Sequence, residues 1–288
     1  MVHTAANIPA VTDTDTVTVT AAGTATSAPA RTSTGASPST STRAPAKSEA
    51  ARLRLFCFHH AGGSAWSFAG WGQRLGRGVE VVPVPLPPRP SARADDPGAV
   101  ATMDALVGEV TRRLAPALDE PYAFYGHSMG SLVAYGVAQR QLAAGRRPPA
   151  LFVAGAHRAP HLPSEAHLTG DLSDDAALEL LLGLDGVGRL VREDPRRMRA
   201  VADRLRADLH VCGTYRHPTA GHRPLPCPVH VLYGTGDPLV SAAQAAAWRA
   251  HAGGRFSVHA FPGGHFFHRE HKDLFFAELT RVLEVDAS

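Results

Sequence analysis

The residues best able to do chemistry in this chain are a serine, an aspartate and a histidine that lie far apart in sequence. Ser128 stands at the centre of Gly126-His127-Ser128-Met129-Gly130, directly after the strand-like run Tyr122 to Tyr125 and directly before a helical pattern. A serine on so tight a strand-to-helix turn is held in a strained backbone, with its Oγ presented at the carboxyl edge of a sheet. Small residues at 126 and 130 let neighbouring segments pack closely around it. The following helix offers backbone N–H groups and a positive dipole end to a developing oxyanion. A serine hydroxyl is a poor nucleophile at neutral pH, so the pattern requires a histidine base and a carboxylate to orient it.

Sixteen histidines make the choice of base a selection problem. Where a serine occupies such an elbow, the chain order is nucleophile, acid, histidine, and the last two sit on loops after late strands. The run Val229 to Tyr233 is followed by Gly234-Thr235-Gly236-Asp237-Pro238, and the run Phe256 to Phe261 by Pro262-Gly263-Gly264-His265. Asp237 and His265 are therefore the expected acid and base. The rivals are weaker by position: His259 lies inside a strand, His268 and His271 fall beyond the loop, and Asp208 sits in a helix, although it is the best alternative acid. His265, His268 and His271 lack an accompanying HExxH pattern or cysteine pair, so no metal is expected. The oxyanion donors are expected to be the Met129 N–H and one from the loop His60-Ala61-Gly62-Gly63, with Ala61 as the choice. No lysine follows that loop in a phosphate-binding pattern.

The elements that must hold these residues alternate. Strand signals at Leu53 to Phe58, Val79 to Val84, Tyr122 to Tyr125, Leu151 to Ala154, Val229 to Tyr233 and Phe256 to Phe261 are separated by helical patterns. Those helices are expected at Trp66 to Leu75, Met103 to Leu118, Met129 to Leu142, Ala242 to His251 and Lys272 to Leu283. Alternation of this kind predicts an α/β protein with a mostly parallel sheet covered on both faces. With the serine elbow, it predicts the α/β-hydrolase fold. One interval, about 157–225, has no core strand and instead shows helices near Asp174 to Leu182 and Pro195 to Leu209, which reads as a helical lid over a site. Asp194 is placed to cap the second lid helix and Pro195 suits its first position. Met198, Val201, Ala202, Leu205 and Leu209 form its apolar stripe.

Composition sets the frame. The 288 residues, 44% hydrophobic and 19% charged, suit a soluble globular protein. A net charge of +3 is too small an excess to argue for nucleic acid, and no stretch approaches a membrane span of about 20 apolar residues. Three cysteines, Cys57, Cys212 and Cys227, cannot close a disulfide framework, which suggests a reducing, cytoplasmic compartment. Residues 1–50 contain no Leu, Phe, Tyr or Trp and read as a disordered Thr/Ala/Ser/Pro-rich tail, although Thr16 to Ala22 alternates like a strand. Residues 51–288 form the expected catalytic domain.

Several ordered motifs resemble those of the type II thioesterases that accompany polyketide synthases and nonribosomal peptide synthetases. Leu55-Phe56-Cys57-Phe58-His59-His60-Ala61-Gly62-Gly63-Ser64, with Phe68 and Trp71 after it, is similar to that family's first strand and oxyanion loop. The serine elbow, Leu205-Arg206-Ala207-Asp208, Thr214-Tyr215, Pro226-Cys227-Pro228 and Gly234 to Pro238 continue the likeness across about residues 53–285. The chain departs from the pattern at His59, where the family usually has proline, and at Pro88, where a glycine is usual. The resemblance implies hydrolysis of acyl groups from the phosphopantetheine thiol of an acyl- or peptidyl-carrier protein, with Ser128, Asp237 and His265 as triad, water as co-substrate and no cofactor. It also suggests that lid arginines, among them Arg189, Arg192, Arg196, Arg197, Arg199, Arg204 and Arg206, dock an acidic carrier. The alternatives are a general carboxylester hydrolase, a chain-releasing or cyclising thioesterase, and a non-catalytic hydrolase-like binding protein.

Overall fold

The computed structural model describes residues 19–21, 52–90, 98–163, 173–184, 189–218 and 221–286. Its centre is a seven-stranded sheet in which every pairing is parallel. In chain order the strands are β1 (Val19–Ala21), β2 (Leu53–Phe58), β3 (Val79–Pro83), β4 (Tyr122–His127), β5 (Leu151–Gly155), β6 (Val229–Gly234) and β7 (Phe256–Phe261). Their order across the sheet is β1-β7-β6-β5-β4-β2-β3. The helices are α1 (Trp71–Leu75), α2 (Met103–Leu114), α3 (Met129–Ala143), α4 (Asp174–Gly183), α5 (Arg189–Arg192), α6 (Pro195–Gly213), α7 (Ala242–Ala246), α8 (Phe267–Glu270) and α9 (Lys272–Asp286).

Two apolar layers explain why the central strands read as continuous hydrophobic runs. Side chains alternate across a strand, so Phe56 and Phe58 of β2 join Tyr122 and Phe124 of β4 beneath α2 and α3. Leu55, Cys57, Ala123 and Tyr125 point the other way and pack under Trp71 of α1 and Phe275 and Leu279 of α9. Both β4 and β6 are buried along their whole length, as strands covered on two faces must be. The sheet is thus the α/β-hydrolase arrangement expected from the alternation of elements.

The departures from the expected elements have local causes. The helix expected from Trp66 to Leu75 is two pieces, a 3-10 turn at Ala65–Phe68 and then α1, because Gly70 sits between them at φ +82°. Helix α2 stops at Leu114 rather than Leu118, and Pro116, which has no N–H to donate, continues only as a 3-10 turn. The pattern from Ala242 to His251 likewise divides into α7 and a 3-10 turn, Ala247–His251. In contrast, the lid helix α6 starts as expected, with Asp194 Oδ1 accepting from Arg196 N at 2.9 Å and Pro195 at the first position. Within the region expected to be a tail, Val19–Ala21 pairs with β7 in the register Thr20↔His259. The remainder of residues 1–50 lies outside the described residues.

The sheet and α3 meet at a contact too close for any side chain. A Cβ on Gly130 would lie 2.0 Å from Phe58 O at the end of β2. Gly130→Ala is therefore expected to lower stability by at least the ~1–3 kcal/mol typical of overpacking, measured by chemical denaturation. A wild-type midpoint would contradict this reading of the packing.

Candidate active site

Strand β4 runs straight into the serine turn, and every local feature serves the sharpness of that turn. Ser128 has φ +54° and ψ −122°, one of two non-glycine residues with positive φ among the described residues. Such a backbone costs energy and persists only where the surroundings hold it. Here the Ser128 N–H donates to Gly155 O at 2.7 Å, and Ser131 Oγ lies 2.8 Å from Gly126 O and 3.0 Å from Gly155 O. A Cβ on Gly126 would meet Ser131 backbone at 2.4 Å. Met129 begins α3, so its N–H has no helical carbonyl to serve.

The loops after β6 and β7 are tied to each other before they reach the serine. Thr235 N donates to Phe261 O at 2.8 Å and Gly236 N to Gly263 O at 2.9 Å. Gly234 approaches the second loop so closely that a Cβ would lie 2.2 Å from Gly264 O. The result is a pair, His265 Nδ1 to Asp237 Oδ2 at 2.8 Å, with the Asp237 side chain fully buried and that of His265 only 3% exposed. The second carboxylate oxygen of Asp237 accepts from Leu239 N at 2.8 Å. Ser128, Met129, Ala61 and His265 all border one cavity, whose apolar walls include Leu132, Leu205, Leu209 and Val240. The structure thus gathers the expected site residues, including Ala61, at one place, while His259 is turned away to Glu278 and Ser257.

A model of the Thioesterase domain matches residues 53–284. The chain belongs to the thioesterase family. It is 34% identical over 222 residues to the gramicidin S biosynthesis protein GrsT of Aneurinibacillus migulanus, covering 77% of this chain and 85% of that one. It is 36% identical over 217 residues to the thioesterase PikA5 of Streptomyces venezuelae, covering 75% of each. Among solved structures, the RedJ thioesterase of the prodiginine pathway in Streptomyces coelicolor superposes with a TM-score of 0.71 at 35% identity, covering 83% of this chain and 95% of RedJ. The type II thioesterase BorB of the borrelidin cluster gives 0.71 at 30%, covering 82% and 94%. The relatives are type II thioesterases of nonribosomal-peptide and polyketide pathways.

In this thioesterase the loop His60 to Gly63 is braced by Asp208 of α6. Gly62 N donates to Asp208 Oδ2 at 2.8 Å, and the other oxygen of Asp208 is paired with Arg89, both side chains being buried. Burial raises the Asp208 carboxyl above its ordinary value, opposed first by the Arg89 charge and then by the Gly62 N–H. Asp208, the alternative acid of the sequence reading, is thus engaged with Gly62 and Arg89 while Asp237 holds the histidine. Gly63 N donates to His60 O, so two of the loop's amides are already used. Ala61 N has no acceptor among the described residues. Arg89 reaches Asp208 despite Pro88 in the preceding position. These partners were not singled out from sequence as a group, because Gly62, Arg89 and Asp208 belong to three separate segments.

A second set of residues missed from sequence holds His265 from behind. The His127 ring accepts no charge there: Nε2 lies 3.0 Å from His265 O, a carbonyl that can only accept, so Nε2 carries the proton. Nδ1 is then left to accept from Tyr125 O–H at 3.2 Å. His127, His60 and His268 are all buried: the His127 ring stacks on Phe266 and lies tilted against His268, while His60 meets Phe266 and His268 meets Phe267 edge-on. Burial first pushes all three well below the usual histidine range, followed by Arg269 for His60 and His268 and by the neighbouring histidine rings for His127. Burial likewise lowers His157 to about 4, partly offset by its bond to Arg158 O.

These depressed histidines make stability pH-dependent with a definite sign. Below an unfolded value of about 6.5 the unfolded chain binds protons that the folded chain refuses, so stability falls as pH falls. Each such ring can cost up to ~1.4 kcal/mol per pH unit in that window. Thermal unfolding is expected to show a midpoint that is steady above pH 7 and drops steeply from pH 6.5 to 5. A flat midpoint across that range would contradict the burial of neutral imidazoles.

Proposed function

We propose that this thioesterase hydrolyses acyl groups from the phosphopantetheine thiol of carrier proteins, and so clears stalled or misprimed chains from a biosynthetic assembly line. The observation that carries the reading is the buried His265–Asp237 pair at a cavity that Ser128 also borders. In this reading His265 Nε2 takes the Ser128 Oγ proton as Oγ bonds to the thioester carbonyl carbon. The N–H groups of Met129 and Ala61 hold the resulting oxyanion. Collapse breaks the carbon–sulfur bond, and the thiolate takes the proton back from His265. Water then gives a proton to His265 and its oxygen to the acyl carbon, the Ser128 C–O bond breaks, and serine recovers the proton as the carboxylic acid leaves. Asp237 keeps the His265 Nδ1–H in place and stabilises the imidazolium.

The apolar walls suit an acyl chain, since Leu180 and Leu184 of the lid line the cavity together with Leu132 and Val240 of the core. An acidic carrier would meet the outward face of α6, where Arg196, Arg197 and Arg199 are exposed and Arg197 is already partly engaged by Asp194 at 3.2 Å.

Intact-protein mass spectrometry of an acyl-loaded carrier tests the proposal. The wild type is expected to leave free holo-carrier, Ser128→Ala to lose about 10⁶-fold in rate and Asp237→Asn about 10⁴-fold. An unchanged carrier alongside rapid cleavage of a simple oxyester would assign a general carboxylester hydrolase, and a lactone product a cyclising enzyme. Reversing the charge in Arg196→Glu with Arg197→Glu is expected to raise KM for the carrier-bound substrate severalfold while leaving a small thioester substrate unaffected. Equal KM values would remove the arginines from docking.

A further inference from the structure

At the roots of the lid, four histidines from three separate segments converge. His161 follows β5 at the entry to the lid insertion. His217 and His222 lie just beyond α6 at its exit, and His251 ends the 3-10 turn after α7 in the core. Ring nitrogens of His217, His222 and His251 all lie within 4.8 Å of one another. His161 Nδ1 is 2.7 Å from His251 Nε2, and His251 Nδ1 is 3.0 Å from His222 Nε2. Two phenols reach the same rings: Tyr135 O–H lies 2.7 Å from His222 Nδ1 and 2.9 Å from His251 Nδ1, and Tyr215 O–H lies 3.2 Å from His217 Nδ1.

We propose that His217, His222 and His251 together bind a divalent transition metal of the zinc type. The donor set decides the class of ion. Imidazole nitrogens suit zinc, copper or nickel, whereas calcium and magnesium require oxygen ligands. The interval His217-x4-His222 is a spacing that places two ligands on one short loop, as in structural zinc sites. Tetrahedral Zn–N bonds of about 2.0–2.1 Å place ligand nitrogens roughly 3.3 Å apart, so modest side-chain rotation brings the three nitrogens, now within 4.8 Å of one another, to that spacing. Burial and mutual repulsion lower the proton affinity of His217, His222 and His251, which leaves their lone pairs free at neutral pH. Tyr135 meets His222 at Nδ1 while its Nε2 turns to His251, and so would orient that ligand.

Such an ion would join the exit of the lid insertion, at His217 and His222, to the core at His251, to which His161 of the entry is already hydrogen-bonded. Leu162 and Tyr215, immediate neighbours of this cluster, also line the acyl cavity, so the clamp would fix the base of the cavity without contact with Ser128 or His265. The inference does not depend on the substrate proposed above.

The test uses the full-length chain without an affinity tag, titrated with zinc chloride after chelator treatment. Calorimetry is expected to give one tight site per chain, and the thermal midpoint to rise by several degrees. Cobalt chloride is expected to give the visible absorption of a tetrahedral nitrogen site. In His217→Ala with His222→Ala, both on half-exposed loop positions, the site and the midpoint shift are expected to vanish while labelling of Ser128 by a fluorophosphonate is retained. Zinc binding of the same stoichiometry and affinity in the double variant, or no zinc-dependent midpoint shift in the wild type, would overturn the proposal and leave the cluster as a proton-linked network of neutral rings.

Discussion

The structure depends on one strained residue, the backbone of Ser128 held at φ +54° between a buried strand and the first turn of α3. Nothing about serine favours that conformation, so it must be imposed by the sheet on one side and the helix on the other. The absence of side chains at Gly126 and Gly130 permits the approach, and the carbonyl of Gly155 on the adjacent strand fixes the Ser128 amide. The strand order serves this requirement: β4 lies between β2, which leads into the loop His60 to Gly63, and β5, which supplies Gly155, with β6 and β7 beyond leading to Asp237 and His265. Five consecutive strands thus deliver their carboxyl ends to one edge.

A polar network then connects that edge to the lid. The Arg89–Asp208 pair removes two charges from water, which costs several kcal/mol per ion before mutual attraction and the Gly62 N–H offset it. An apolar substitute would pack as well but could not hold the Gly62 amide, and with it the direction in which Ala61 N points. The buried His127 performs a comparable task for the histidine loop, holding the carbonyl of His265 rather than its ring. Both devices spend stability on the orientation of backbone groups, and neither touches the reacting atoms.

Much of this was legible in the sequence because it rests on local rules. The elbow, the Asp194 cap with Pro195, and the glycines beside Asp237 and His265 are each encoded within a few residues. The β6 and β7 strand runs are apolar enough to be read without partners. The helix breaks at Gly70 and Pro116 were visible as residue types, yet periodicity on either side outweighed them in the reading of longer helices. The contacts that remained hidden join residues distant in sequence: Gly62 with Asp208 across 146 positions, His127 with His265 across 138, and His161 with His251 across 90. With sixteen histidines, composition alone could not sort the rings that touch substrate from those that hold loops or meet one another.

In the proposed mechanism the strained turn presents Ser128 as a nucleophile made reactive by the His265–Asp237 pair. The most direct measurement is the rate of covalent modification by an alkyl fluorophosphonate, with the modified residue located by peptide mass mapping, in the wild type and in His265→Ala. A single adduct on Ser128 is expected in the wild type, with a loss of at least three orders of magnitude in its rate of formation in the variant. An adduct on another residue, or an equal rate at Ser128 without His265, would contradict this mechanism.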